Sequence, residues 1–491
     1  MFDSKQVGLY HHTSSYTVSN GGLIMSTSLL DRSKFTAISP LALVTLSACQ
    51  NFGQGEDPST PVSGNIVKGP LSNALVFLDL NDNNTLDAGE QSIRTNADGR
   101  FTINTTATNY KIVALTDDST VDSSSGAVLS GVTLTAPKGA AVVTPTTTLM
   151  EEGGMTAEQV AEVLQLPDGV NPLTFNPFAA GVDATKALAV EKVSQQIMTA
   201  VSSFASAAEG AGASEGGAFT AALTSVVDVV KNKVEKLADP NAAAADKKID
   251  FSNANDLDLI KAKVADEAQK VATAEGSSGF DKTAMDNLVN ATTTSIKNVN
   301  DQIKTVADLT SDASKNVFST MQVLAEQVKT AAIAEKANKG TGSSSIEFTN
   351  LTKVQNAAAN SAPKDINLSS TAIMEGSKSL VIGSLNTTDS DQASGVDFKY
   401  EIVDVYGTDH KLFSINSKGE LVLNKTPDYS AQQYYKLFVT TTDSGGKKFS
   451  KEIKIDVTPD PHQNFLVKFK VKYVEEGDVG KEYNTALGQS K

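Results

Sequence analysis

The run "DLNDNNTLDAGE", residues 79–90, carries oxygen-bearing side chains at its first, third, fifth, seventh, ninth and twelfth places: Asp79, Asn81, Asn83, Thr85, Asp87 and Glu90. A tight loop turns alternate side chains inward. Carboxylate, amide and hydroxyl oxygens on that inner side suit a hard cation such as Ca²⁺, and a closing Glu can supply both of its oxygens. Leu86 stands as an apolar peg. The sixth place, where the chain must turn sharply, holds Asn84 instead of Gly, and Asn tolerates the left-handed conformation. The expected chemistry is structural Ca²⁺ binding at about 10⁻⁴–10⁻³ M, the range of extracellular modules. The competing reading is a solvated, Asx-rich hairpin.

This spacing resembles the EF-hand loop, although a strand, not a helix, precedes it. A second candidate is Cys49, the single cysteine of the chain, which ends the stretch "LALVTLSAC". A lone thiol forms no internal disulfide. Arg32 and Lys34, an apolar stretch from Phe35 to Ala48 and small residues before Cys49 form the pattern of a secretory signal. Leu46-Ser47-Ala48-Cys49 resembles the bacterial lipobox, which implies cleavage before Cys49 and its lipidation. The alternatives are an ordinary secretory signal and a short buried helix. With Met25 taken as the start, residues 1–24 are expected to be an over-called extension, 25–48 a lipoprotein signal peptide and 49–61 a polar tether.

The elements that would position these residues fall into three parts. Residues 62–150 read as a β-sandwich: "ALVFLDL", "RFTI", "YKIVALT" and "GVTLTAP" are short strand-like runs, and "NADG" (96–99) is an Asx-Gly turn. The opening of this segment resembles the prealbumin-like repeat modules of bacterial surface proteins. Residues 153–338 shift to a period of 3.6. Val190, Val193, Ile197, Val201 and Phe204 share one face, and so do Phe219, Leu223, Val226, Val230 and Val234. "TAEQ" (156–159) is a capping box. Five or six antiparallel helices in an Ala-rich bundle are expected here, with the apolar stripes as core. Residues 339–361 read as a linker, and 362–458 return to period two as a second all-β sandwich. Residues 459–491 look like the start of a further β module or a truncated tail.

The C-terminal segment resembles a bacterial cadherin-like repeat along most of its length. "APKDINLS", "MEGSKSLVIGSL", "TTDSD", "LFSINSKGELVL", "PDYS" and "YKLFVTTTDSGG" fall where that family has its motifs. The resemblance implies an Ig-like sandwich with Glu375, Asp389, Asp391, Asp428 and Asp443 as Ca²⁺ ligands. Two departures bear on that implication. Ser430 replaces the Glu of the family's D-x-E, and the Asp/Asn-rich linker is reduced to Asn356 and Asn360 before the domain and Asp460 after it.

The formal net charge of −15 argues against nucleic acid and anionic membrane surfaces as partners. The chain has no Trp, which weakens a carbohydrate-binding reading that needs aromatic platforms. No catalytic motif is present, so no enzyme is expected. Of the four histidines, His11 and His12 precede the expected start; His410 and His462 stand alone, His410 being read as a solvated loop residue. The expectation is a Ca²⁺-binding, lipid-anchored protein of the bacterial outer membrane or cell surface. It would act in adhesion or envelope scaffolding on a protein or polysaccharide ligand. The alternatives are the anchor or accessory region of a longer extracellular enzyme and a carbohydrate-binding surface protein.

Overall fold

The computed structural model describes residues 59–461 apart from 393–397 and 406. It also describes the backbone of two hairpins, Thr13–Ser19 with Gly22–Ser28 and Lys470–Lys472 with Glu482–Asn484. Cys49 and most of the tether lie outside the described residues. Residues 58–460 form one compact unit.

Within that unit strands come first. One antiparallel sheet has the order Thr133–Pro137, Lys111–Leu115, Leu75–Asp79, Ser92–Arg94. A second sets Thr60–Ile66 between Arg100–Thr105 and Val142–Val143, the last pair running parallel. The "NADG" turn forms as expected: Asn96 Oδ1 accepts the N–H groups of Asp98 and Arg100, and Gly99 adopts φ +73°. Only glycine enters that conformation without penalty, and a side chain there would meet the Ile66 carbonyl.

Helices follow: α1 (Pro145–Gly153), α2 (Ala157–Val163), α3 (Ala184–Gly210), α4 (Glu215–Leu237), α5 (Ala254–Ala274), α6 (Lys282–Thr305), α7 (Asp312–Phe318), α8 (Thr320–Ala337) and α9 (Leu351–Ala359). Local chemistry fixes their starts. Thr156 Oγ1 accepts from Gln159 N while Gln159 Oε1 accepts from Thr156 N, which is the capping box in its reciprocal form. The long α3 is central and packs on α4, α6 and α8. Small residues permit the close approach: a side chain at Gly210 would strike the backbone of Lys329. Among the described residues no helix is long and apolar enough to cross a membrane.

Two features depart from the sequence reading. The first β segment has no core of its own. One hydrophobic cluster runs from Ile66, Leu78 and Leu134 through Phe204, Val226 and Ile296 to Phe348 and Val354. Strands of two to seven residues bury too little apolar area to stand alone, and the helices complete them. Second, the 339–361 segment is not all linker. Ile346 and Phe348 insert into the bundle core, and α9 docks on it through the fully buried Val354. Those three apolar residues are spaced too widely to register as a periodic helix.

The C-terminal part is a two-sheet sandwich. One sheet has the order Asp365–Leu368, Val381–Thr388, Glu420–Leu423, Phe413–Ile415; the other has Ala372–Met374, Lys448–Thr458, Tyr434–Thr442, Lys399–Val403. The chain changes sheet between Leu368 and Ala372, where Ala372–Met374 pairs parallel with the last strand. Residues of Lys448–Thr458 alternate buried and exposed, as a two-faced strand must. Leu421, Leu423, Leu437, Val439 and Ile455 fill the core, with Tyr435 edge-on to Phe413 at 5.6 Å.

Candidate functional site

The Asp79–Glu90 loop leaves strand Leu75–Asp79 and turns on one carboxylate. Asp79, buried at the strand end, accepts the N–H groups of Asn81, Asp82 and Asn83 on Oδ1 and that of Asn84 on Oδ2. Asn84 adopts φ +57° and Asp82 +65°, so the sixth place does take the left-handed turn. Glu90 folds back over the loop: Oε1 accepts from Leu80 N at 2.8 Å and Oε2 from Asp87 N at 2.9 Å. Asn81 and Asn83 both donate Nδ2 to Asp87 Oδ2 at 2.8 Å, and these bonds hold the Asp87 carboxyl below its ordinary range. Thr85 donates its N–H to Asn83 Oδ1.

Three of the six expected ligands, Asn81, Asn83 and Asp87, therefore meet side chain to side chain. Lys111, from the neighbouring strand, adds a cation: it bonds Asp82 and lies 3.8 Å from Asp79. In this arrangement the amide groups offer hydrogens to Asp87. Holding a cation requires Asn81 and Asn83 to turn their carbonyl oxygens to the same point, a rotation about one bond each. The buried, unpartnered Asn84 Oδ1 is a further oxygen in this loop. Among the described residues no three His, Cys, Asp or Glu side chains converge closely enough to hold a metal ion, and Asp79, Asp87 and Glu90 of this loop are included in that. The loop also lines a cleft of about 450 Å³ against Thr133, Glu152 and α4.

The carboxylates of the C-terminal sandwich separate into two ends. Asp389, Asp391 and Asp443 lie at the end that meets the bundle. Asp391 Oδ2 accepts Ser361 N at 2.6 Å, and Asp443 Oδ2 accepts Asn360 Nδ2 at 2.9 Å. Glu375 and Asp428 lie at the other end, where Glu375 N bonds Thr458 O and Gly376 N bonds Pro427 O. Asp428 is taken up by its own turn, accepting the N–H groups of Ser430 and Ala431 and the Ser430 hydroxyl, and these bonds lower its pKa. Ser430, at the family's Glu position, thus serves the turn.

At the bundle end the charge balance is internal. Lys447 is buried, and its ammonium donates to the carbonyl oxygens of Asn316 and Asn360. Burial pulls Lys447 down to about 8, against the opposing pull of Asp443, Asp391 and Asp389. Burial, then the neighbouring Asp391, pushes Asp389 up to about 6. Among the described residues no three His, Cys, Asp or Glu side chains converge closely enough to hold a metal ion. The acidic end of this sandwich, with a lysine ammonium standing among its carboxylates, does not fit Ca²⁺ as it is arranged. Lys447 follows a Gly-Gly turn in the sequence, which gives no sign of its burial.

His410 is not solvated. Its Nε2 is 2.9 Å from Asp404 Oδ1 and its Nδ1 3.1 Å from Thr408 Oγ1. Sequence reasoning also missed a cleft of about 510 Å³ where the β segment, the bundle and the sandwich meet, lined by Asp118, Glu209, Glu215, Glu326, Lys329 and Lys448 among others. Glu209 pairs with Lys329 at 2.6 Å, and burial followed by Glu209 raises Glu215. These groups come from segments remote in sequence, so no local motif announces them.

No family model matches the chain, and no curated protein matches it. Among solved structures it is similar to a crystal structure of mouse cadherin-23 repeats EC22–24, with 18% identity and a TM-score of 0.15. That likeness covers 20% of this chain and 32% of the cadherin chain, so the chain spans about a third of the structure it matches.

Proposed function

We propose that this chain is a lipid-anchored bacterial surface protein that binds Ca²⁺ and acts in adhesion or envelope scaffolding, without catalysis. The observation that carries the reading is mechanical continuity. Residues 58–460 form one compact unit, in which a β segment and a helical bundle share a core and the C-terminal sandwich is fastened to the bundle through Lys447, Asn360 and Ser361. Such a body transmits load from an anchor near its start to the faces of its last sandwich. Cys49 supplies the anchor. The acyl chains of a lipidated cysteine give membrane affinity that a single chain lacks.

Calcium enters at Asp79, Asn81, Asn83, Thr85, Asp87 and Glu90, where it would draw the loop's oxygens to one centre. The bundle end of the sandwich relies on Lys447 instead. Adhesion then rests on the side chains the sandwich presents, since fold alone does not specify a ligand.

The test expresses the full chain in a bacterial host. Wild-type protein should partition into detergent and incorporate labelled fatty acid, and Cys49→Ser should do neither. Recovery of the wild type as an unlabelled soluble protein would overturn the anchor and with it the surface role.

A further inference from the structure

The cleft of about 510 Å³ is walled by three parts of the chain. Asp118 comes from the β segment, Ser202, Glu215 and Gln322 from helices α3, α4 and α8, and Lys448 from the C-terminal sandwich. Some of its lining side chains hold polar atoms that the fold leaves without partners. Ser202 Oγ and both amide atoms of Gln322, Oε1 and Nε2, are buried and have no hydrogen-bond partner among the described residues. A hydroxyl inside a helix can bond the carbonyl four residues back. Thr199 and Ser203 of α3 do so, on Gln195 O and Thr199 O. Ser202, between them, does not. Gln322 stands on α8, which packs against α3. A buried polar group left unpaired costs stability, so several of them in one cleft call for a partner from outside the chain.

The chemistry of the lining narrows that partner. The Gln322 amide offers two donor hydrogens and an acceptor, and the Ser202 hydroxyl offers both functions. Asp118, Glu215 and Glu326 add acceptors, and Lys448 adds a donor. Lys329 is engaged by Glu209 at 2.6 Å. An anion would meet the carboxylates. A cation, metal or amine, would use the acceptors alone and leave Gln322 Nε2 unpaired beside it. Among the described residues no three carboxylates converge closely enough to hold a metal ion. An apolar ligand would leave all of these groups stranded. A neutral, hydroxyl-rich molecule matches the set, because each hydroxyl both gives and takes a hydrogen bond. Gly131 makes room for the Glu215 carboxylate, since a side chain there would strike Glu215 Oε1. The volume lies within the range of about 300–1,000 Å³ of small-molecule sites.

We propose that this cleft binds a short neutral saccharide, whose hydroxyls exchange hydrogen bonds with Gln322, Ser202 and the carboxylates at its rim. The site rests on the surface role proposed for the chain, which brings it before extracellular saccharides, and it gives that role a ligand class. With Lys448 in its wall, the cleft joins the sandwich to the body that carries it.

The test is isothermal titration calorimetry of the purified full chain with a panel of neutral sugars: glucose, galactose, N-acetylglucosamine, cellobiose, lactose, maltose and diacetylchitobiose. At least one probe should bind one to one. Cys49→Ser should bind it as the wild type does, so the site is read separately from the anchor, which fatty-acid labelling decides. Gln322→Leu should weaken binding by about tenfold or more, the effect of one lost hydrogen-bonding group. Its melting temperature without sugar should stay at or above that of the wild type, because Leu brings no unpaired amide. Should Gln322→Leu fail to fold, Ser202→Ala carries the same prediction. Binding by none of the probes, or binding that Gln322→Leu and Ser202→Ala leave unchanged, overturns the proposal and leaves the cleft to ordered water.

Discussion

Glu90 uses both carboxylate oxygens to cap backbone N–H groups of its own loop. Glu90→Ala frees two donors that water can reach and should cost about 1 kcal/mol. It should also abolish the rise in melting temperature that millimolar Ca²⁺ gives the wild type, because a ligand stabilises the native state by RT ln(1 + [L]/Kd). A wild-type melting temperature indifferent to Ca²⁺ would reduce this loop to a self-bonded turn. At the sandwich end, Lys447→Met removes a buried cation from beneath three carboxylates and orphans the carbonyls of Asn316 and Asn360. Breaking such a buried arrangement should cost about 3–5 kcal/mol in urea unfolding; a cost below about 1 kcal/mol, the worth of an exposed pair, would mean the ammonium reaches water. Asp389 sets a pH dependence. Its native pKa of about 6 stands above the ordinary 3.8, so between those values the native state holds the extra proton. Stability from this group is therefore present below pH 3.8 and is lost as pH rises through about 6. Asp389→Asn should flatten that decline and raise the melting temperature at neutral pH; an unchanged slope would assign the decline to another group. The loop's oxygen spacing was legible in sequence because all its partners lie within twelve residues. Lys111 and Lys447 were not, because each meets its partners across the tertiary fold.

Helix and strand identities followed from period wherever a segment had one wet and one dry face. The apolar stripe of α3 and the alternation in Lys448–Thr458 were both visible as patterns. The 346–354 stretch was not, because Ile346, Phe348 and Val354 enter the core from a turn and a short helix, with no repeating interval. Phe348 is buried in the shared core at 2% exposure. Phe348→Ala should destabilise the unit by about 3–5 kcal/mol, as aromatic deletions in packed cores do. A loss under about 1 kcal/mol, the cost of a surface change, would return this stretch to the status of a linker. Thr156→Ala, which removes the cap of α2, should cost about 1 kcal/mol by the same measurement.

At the scale of the molecule, the continuous core predicts that the β segment and the bundle unfold together. A fragment of residues 60–150 should be unfolded or aggregated by circular dichroism, since Leu78, Leu134 and their neighbours would face water where the helices now cover them. A fragment that folds and melts cooperatively would show that the shared core is a contact between independent domains. Period and turn chemistry act within a segment and are readable there; which segments share a core depends on docking, for which the sequence has no local sign. The same unity underlies the functional account, in which a rigid body joined to the membrane at Cys49 presents its last sandwich to a partner. The most direct test is attachment of bacterial cells that carry the chain, compared with cells producing equal amounts of Cys49→Ser, to glass and to cells of the same strain in millimolar Ca²⁺. The account predicts attachment above the level of cells lacking the chain for the wild type alone. Equal attachment by the wild type and cells without the chain would contradict it.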